Sequence, residues 1–176
     1  MPRPSQSQAK SLNAVPPALA TPSDLPASGV RSIANVVNPL IADAFALYVK
    51  TKNFHWHLSG PQFRDYHLMF DEQADAIFDV VDEMAERVRM LGQTTIRSIG
   101  HIAKLQSIAD DDDAFVSPRD MINRLLKDNQ RMAEALRAAT GVCDDHNDPV
   151  TSDLLQGVLG ATEKRIWFLF EALQRS

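Results

Sequence analysis

A single cysteine, Cys143, in 176 residues excludes an internal disulfide framework and any zinc site built from several thiolates. A lone thiol also fits a reducing compartment. No uninterrupted apolar run approaches the ~20 residues that span a bilayer. Pro16, Pro17 and Pro22 interrupt the N-terminal stretch where a signal-peptide core would lie. The expectation is a soluble, cytoplasmic protein with no membrane partner. Positive charge is scarce as well: 18 Lys and Arg stand against 23 Asp and Glu, a net charge of −5. The body is therefore no general nucleic-acid binder. Strand-like alternation is missing too, which leaves helices to build the fold.

What is present divides into a tail and a body. Six of the ten prolines fall at positions 2, 4, 16, 17, 22 and 26, among Ser, Gln and Ala. Residues 1–28 are expected to form a disordered or extended tail, and residues 29–176 one domain. Residues 1–32 hold Arg3, Lys10 and Arg31 against Asp24, so a mildly basic segment of +2 precedes a body of −7. Four long helices follow. The first spans about 32–58, with Pro39 in its first turns or at a kink, and Gly60-Pro61 ends it. The second spans about 61–91, with Gly92 as its stop. A looser link, 93–116, holds a short helix near 102–105 and the acidic run Asp110–Asp113, which reads as a solvated loop. Ser117-Pro118 opens the third long helix, expected to end at Gly141. Asp148-Pro149 opens the fourth, which runs to about 174. The architecture is an all-α four-helix bundle.

The chemistry concentrates in KNFHWHLSGPQFRDYHLMFDEQADAIFDVVDEMAERVRML, residues 52–91. Phe70, Ile77, Val81, Met84 and Val88 recur at helical spacing as one apolar face. His67, Asp71, Asp82 and Glu86 fall on the opposite side within roughly 100° of arc. With His55 on the preceding helix, these are the imidazoles and carboxylates that bind iron or a related divalent metal. Acids along one helix face are most simply a solvated surface, and Asp75 and Asp79 read that way, with a cavity-facing position as the alternative. Two of the chain's five histidines beside the other acids argue against coincidence. His57 reads as structural, and Phe54 and Trp56 as core or interface aromatics.

Spacing adds a constraint. His67/Asp71 and Asp82/Glu86 are pairs four residues apart, but Asp71 and Asp82 lie roughly 16 Å apart along the axis at about 1.5 Å per residue. Metal–ligand bonds near 2 Å cannot join the two pairs on one helix. An antiparallel second copy would set one chain's His67/Asp71 opposite the other's Asp82/Glu86, giving two equivalent sites across a two-fold axis.

From about residue 30 to 174 the chain resembles the Dps proteins, mini-ferritins that protect DNA during starvation and oxidative stress. The resemblance is most specific in KNFHWHLSGPQFRDYHLMFDE and DVVDEMAERVRMLG. It implies a ferritin-like four-helix bundle with a short helix between helices 2 and 3, assembled as a hollow homo-dodecamer. It implies a di-iron ferroxidase centre at each two-fold interface, with His55, His67 and Asp71 of one subunit and Asp82 and Glu86 of its neighbour as catalytic and metal ligands. By the same resemblance Asp82, Glu86 and His55 hold the tighter iron and His67 and Asp71 shape the weaker position. Trp56 is a candidate electron donor beside the centre, with core packing as the competing reading. Asp153 is the candidate for an acidic pore, and Asp148 a second, with an N-cap role as its alternative. The implied function is oxidation of Fe(II), with hydrogen peroxide as the favoured oxidant, and storage of the ferric mineral. Zinc is a competing occupant of the same ligands. The alternative is a nucleoid-associated protein that binds and compacts DNA through its N-terminal tail. That tail, residues 1–28, offers only Arg3 and Lys10, and the acidic body opposes it.

Overall fold

The computed structural model describes residues 15–174, and it is all-helical there. A 3-10 turn at Pro17–Leu19 is followed by α1 (Ala27–His57), α2 (Phe63–Met90), α3 (Ile99–Leu105), α4 (Pro118–Asp145) and α5 (Pro149–Ala172). The short connections make α1–α2 and α4–α5 two helical hairpins, and α1 lies against α4 to join them. The α2 and α5 helices touch only lightly, so that side of the bundle is open. The short helix α3 sits in the link and leans on α1. The expected four-helix bundle with a small helix in its middle connection is the fold observed.

The core follows the apolar periodicity. Phe70, Ile77, Val81, Met84 and Val88 are all buried, as their spacing predicts, against Ile33, Val37, Ile41, Leu47 and Phe54 of α1. Ser117 caps α4 by accepting from the Asp120 N–H, and Asp148 caps α5 by accepting from the Thr151 N–H. The end of α2 is a Schellman cap: Gly92 has φ 71°, its N–H donates to the Arg89 carbonyl, and the Gln93 N–H donates to that of Val88.

Two boundaries differ most from expectation. The α1 helix begins at Ala27 directly after Pro26, so Pro39 sits deep inside it. The α4 helix passes through Gly141 to Asp145 because Cys143 is fully buried, and packing carries the helix past the glycine. It stops where Asn147 adopts φ 56°. By length and composition α1 is also long and apolar enough to cross a bilayer, although its sequence contains no unbroken apolar run of that length. It is the core helix of the bundle, and Asp43, Lys50 and Thr51 are buried along it among polar partners.

Of the tail expected over 1–28, residues 1–14 lie outside the described residues. Residues 15–26 form a strap over the end of α2. The Thr21 hydroxyl donates to the Arg89 carbonyl (3.1 Å), and the Arg89 guanidinium donates to the Leu19 carbonyl (2.9 Å). A Cβ at Gly92 would stand 2.4 Å from the Thr21 carbonyl oxygen, so only glycine admits the strap. The link is pinned as firmly. Buried Asp43 accepts from the Ser107 and Ile108 N–H groups and the Ser107 hydroxyl, and Arg124 grips Asp111 and Asp113. Part of the acidic run is therefore ion-paired, not merely solvated.

Candidate metal centre

The loop from Leu58 to Gln62 folds α2 back along α1, which brings His55 at the end of one helix against His67 at the start of the next. Their rings stack with centroids 3.7 Å apart and planes 21° apart. The Nδ1 of His55 lies 2.9 Å from the His67 carbonyl, and the Nδ1 of His67 lies 3.1 Å from the His55 carbonyl. A carbonyl only accepts, so both Nδ1 atoms carry the proton and both Nε2 lone pairs are free for a ligand. Phe63 stacks on the outer face of His67 at 5.0 Å. Backbone and aromatic contacts thus fix both imidazoles before any metal arrives.

Asp71, one turn beyond His67, has its Oδ1 3.7 Å from the His55 Nε2. The Lys52 ammonium lies 2.5 Å from that same oxygen and 3.1 Å from Asp75. The hydrogen bond from Lys52 holds the Asp71 carboxyl below the usual carboxylate range, and the same bond raises Lys52. Lys52 is the residue that spacing arguments missed. It stands three positions before His55 and so shares its helix face, the one available signal. Asp75 consequently belongs to an ion pair and is not a plain surface acid, whereas Asp79 is exposed.

Asp82 and Glu86 lie farther along α2, both exposed. Asp82 borders an open cleft of about 660 Å³ with Phe45, Phe78 and Ile99, of which Phe78 and Ile99 are largely exposed apolar side chains. The five candidates form no common site on one chain, and among the described residues no three His, Cys, Asp or Glu side chains stand where they would hold one ion.

The remaining candidates separate clearly. Trp56 is 66% exposed, so it is not a core residue, whereas Phe54 is. Trp56 points away because it follows the buried Phe54 by two positions on the helix. His57 is held by its own helix, with Nδ1 2.9 Å from the Asn53 carbonyl. Asp148 is 2% exposed; it caps α5, accepts from Thr151 and pairs with Arg87 at 2.8 Å. Those contacts fit the N-cap role and leave Asp153, exposed on the first turns of α5, as the carboxylate open to solvent there.

The chain matches the family model described as a ferritin-like domain over residues 34–176. It is 31% identical to DNA protection during starvation protein 1 of Deinococcus radiodurans, over 79% of this chain and 67% of that one. It is also 31% identical to DNA protection during starvation protein 2 of Bacillus anthracis, over 79% of this chain and 94% of that one. Among solved structures it superposes on a Dps protein of Vibrio cholerae O1, described as a member of the ferritin-like diiron-carboxylate superfamily. That match has a TM-score of 0.83 at 25% identity and covers 90% of this chain and all of the other.

Proposed function

The chain belongs to the Dps family of ferritin-like proteins, and from that premise we propose that it oxidises and stores iron. Two copies, related by a two-fold axis, would bring His55, His67 and Asp71 of one against Asp82 and Glu86 of the other. The observation that carries the reading is the pair of imidazoles locked with both Nε2 atoms free beside Asp71. The other two carboxylates lie exposed beyond reach on the same helix. The exposed Phe78 and Ile99 beside Asp82 give a second copy an apolar surface to bury. Closure into a dodecameric cage is part of this proposal.

Iron enters as substrate. Hard carboxylate oxygens favour Fe(III) over Fe(II), so the ligand set drives oxidation. Two Fe(II) ions supply both electrons to one hydrogen peroxide, which with two protons leaves as two waters, so no hydroxyl radical is released. A dication arriving at Asp71 displaces the Lys52 ammonium toward Asp75, its second partner. Trp56, exposed and next to His55 in the chain, is our candidate to give up an electron if an iron is over-oxidised. Asp153 is our candidate for the iron entrance, and zinc would compete for the imidazoles. We place the protein in the cytoplasm and its protection of DNA in the removal of Fe(II) and peroxide. Direct DNA binding rests on a tail whose basic residues, Arg3 and Lys10, lie outside the described residues.

The test is Fe(II) oxidation by stoichiometric peroxide under anaerobic conditions, with the native protein beside an Asp82→Ala, Glu86→Ala double variant. Light scattering follows assembly in both. Fast oxidation lost by an assembled variant establishes the shared centre. Equal, slow rates in both proteins overturn it.

A further inference from the structure

The lightly packed side of the bundle leaves a groove of about 310 Å³ between α2 and α5. Its lining includes Arg165, which is only 6% exposed. The Arg165 Nε donates to the Asn129 Oδ1 at 2.9 Å and one Nη2 hydrogen to the Thr162 hydroxyl at 2.7 Å. Both acceptors are neutral. A guanidinium has five N–H donors in a rigid fork, so three are left over. Among the described residues no carboxylate forms an ion pair with it. Buried Lys50 is treated differently: it is answered by Asp128 at 2.7 Å. A mostly buried charge is costly unless paired, and among the described residues this cation has no counter-ion; none of its nitrogens is fully buried without a partner, so its unused donors open onto the groove. Burial pulls the Arg165 guanidinium down only to about 10, which leaves it charged near neutral pH.

The rest of the groove suits an anion. Lys164 lies along it with its ammonium 5.8 Å from the Phe168 ring centre, a second positive charge on a movable stem. Gln73, also buried, adds an amide, and Met69 and Phe168 are apolar walls that lower the local dielectric. Glu72 is the one carboxylate on the lining, against two cations. We propose that this groove binds a small oxyanion, with inorganic phosphate as its ligand, gripped by the Arg165 fork and covered by Lys164. Planar paired donors match phosphate oxygens, which a monatomic anion cannot exploit.

The experiment uses assembled, iron-free full-length protein titrated with sodium phosphate by calorimetry, with sodium chloride at matched ionic strength as control. The native protein is expected to bind one phosphate per chain with saturation. Lys164→Ala should weaken binding roughly three- to tenfold, and Arg165→Met should abolish it. No saturable heat beyond the chloride control in the native protein overturns the proposal, and so does unchanged affinity in the Lys164→Ala variant. Lys164 is exposed, so its variant decides the matter even if Arg165→Met fails to assemble.

Discussion

His55 and His67 hold each other: each ring donates its Nδ1 hydrogen to the other's backbone carbonyl, at 2.9 and 3.1 Å, while the rings stack at 3.7 Å. The arrangement fixes tautomer and direction together, which leaves both Nε2 atoms as ready ligands. In metal-free protein, nitrogen NMR is expected to show both imidazoles with the proton on Nδ1. A proton resting on either Nε2 would remove the basis of this reading. His67→Ala should lower affinity for Zn(II) by at least about 10-fold in calorimetry, with helix content unchanged.

Lys52 competes with metal for Asp71, since its ammonium lies 2.5 Å from the Oδ1. Lys52→Met is therefore expected to tighten binding of a divalent ion, on the order of three- to tenfold, by removing a like charge next to the site. The effect should shrink as salt is raised, because the Asp71 side of the pair is partly open to solvent. Competitive titration with Zn(II) at two ionic strengths measures both. Weaker binding in the variant would show that Lys52 serves to orient Asp71 and does not compete for it.

Gly92 and Gly141 should respond in opposite directions to the same substitution. At Gly92 a methyl group would meet the Thr21 carbonyl at 2.4 Å on a backbone with φ 71°. Gly92→Ala is expected to cost about 1–3 kcal/mol and to expose the strap to protease. At Gly141, inside α4, nothing lies within 4 Å, so Gly141→Ala should stabilise by about 0.5–1 kcal/mol. Thermal unfolding of the two variants beside the native protein gives both signs.

Cys143 should be inert in the folded protein. Burial first, then the charges of Asp148 and Asp144, push its thiol up from 9.0 to about 11, with Arg87 opposing. At pH 8 a thiol reagent should label it only after denaturant is added. The raised value also fixes a sign: the unfolded chain loses its thiol proton near 9.0 while the folded one keeps it to about 11. Stability is thus unaffected below the lower value and declines as pH rises through that window. Labelling of native protein at pH 8, at the rate of free cysteine, would contradict the burial.

Periodicity was sufficient for the bundle. The residues Phe70 to Val88 at helical spacing could bury only against other helices, and Ser117-Pro118 and Asp148-Pro149 carried the signals of helix starts in their own side chains. Such features are local, so sequence alone determines them. It also determined that Asp71 and Asp82 are too far apart along one helix to share an ion, because the helical rise is fixed. Other features join residues distant in the chain, and only the tertiary structure decided those. No spacing rule pairs His55 with the carbonyl of His67 across a loop, or turns Arg89 toward Leu19. None predicts that Gly92 makes room for a strap, or that Arg165 is buried against the neutral Asn129 and Thr162 while Lys50 has Asp128. Periodicity assigns a residue to a face, but what that face meets depends on how the helices pack, and packing sums weak contacts over the whole chain.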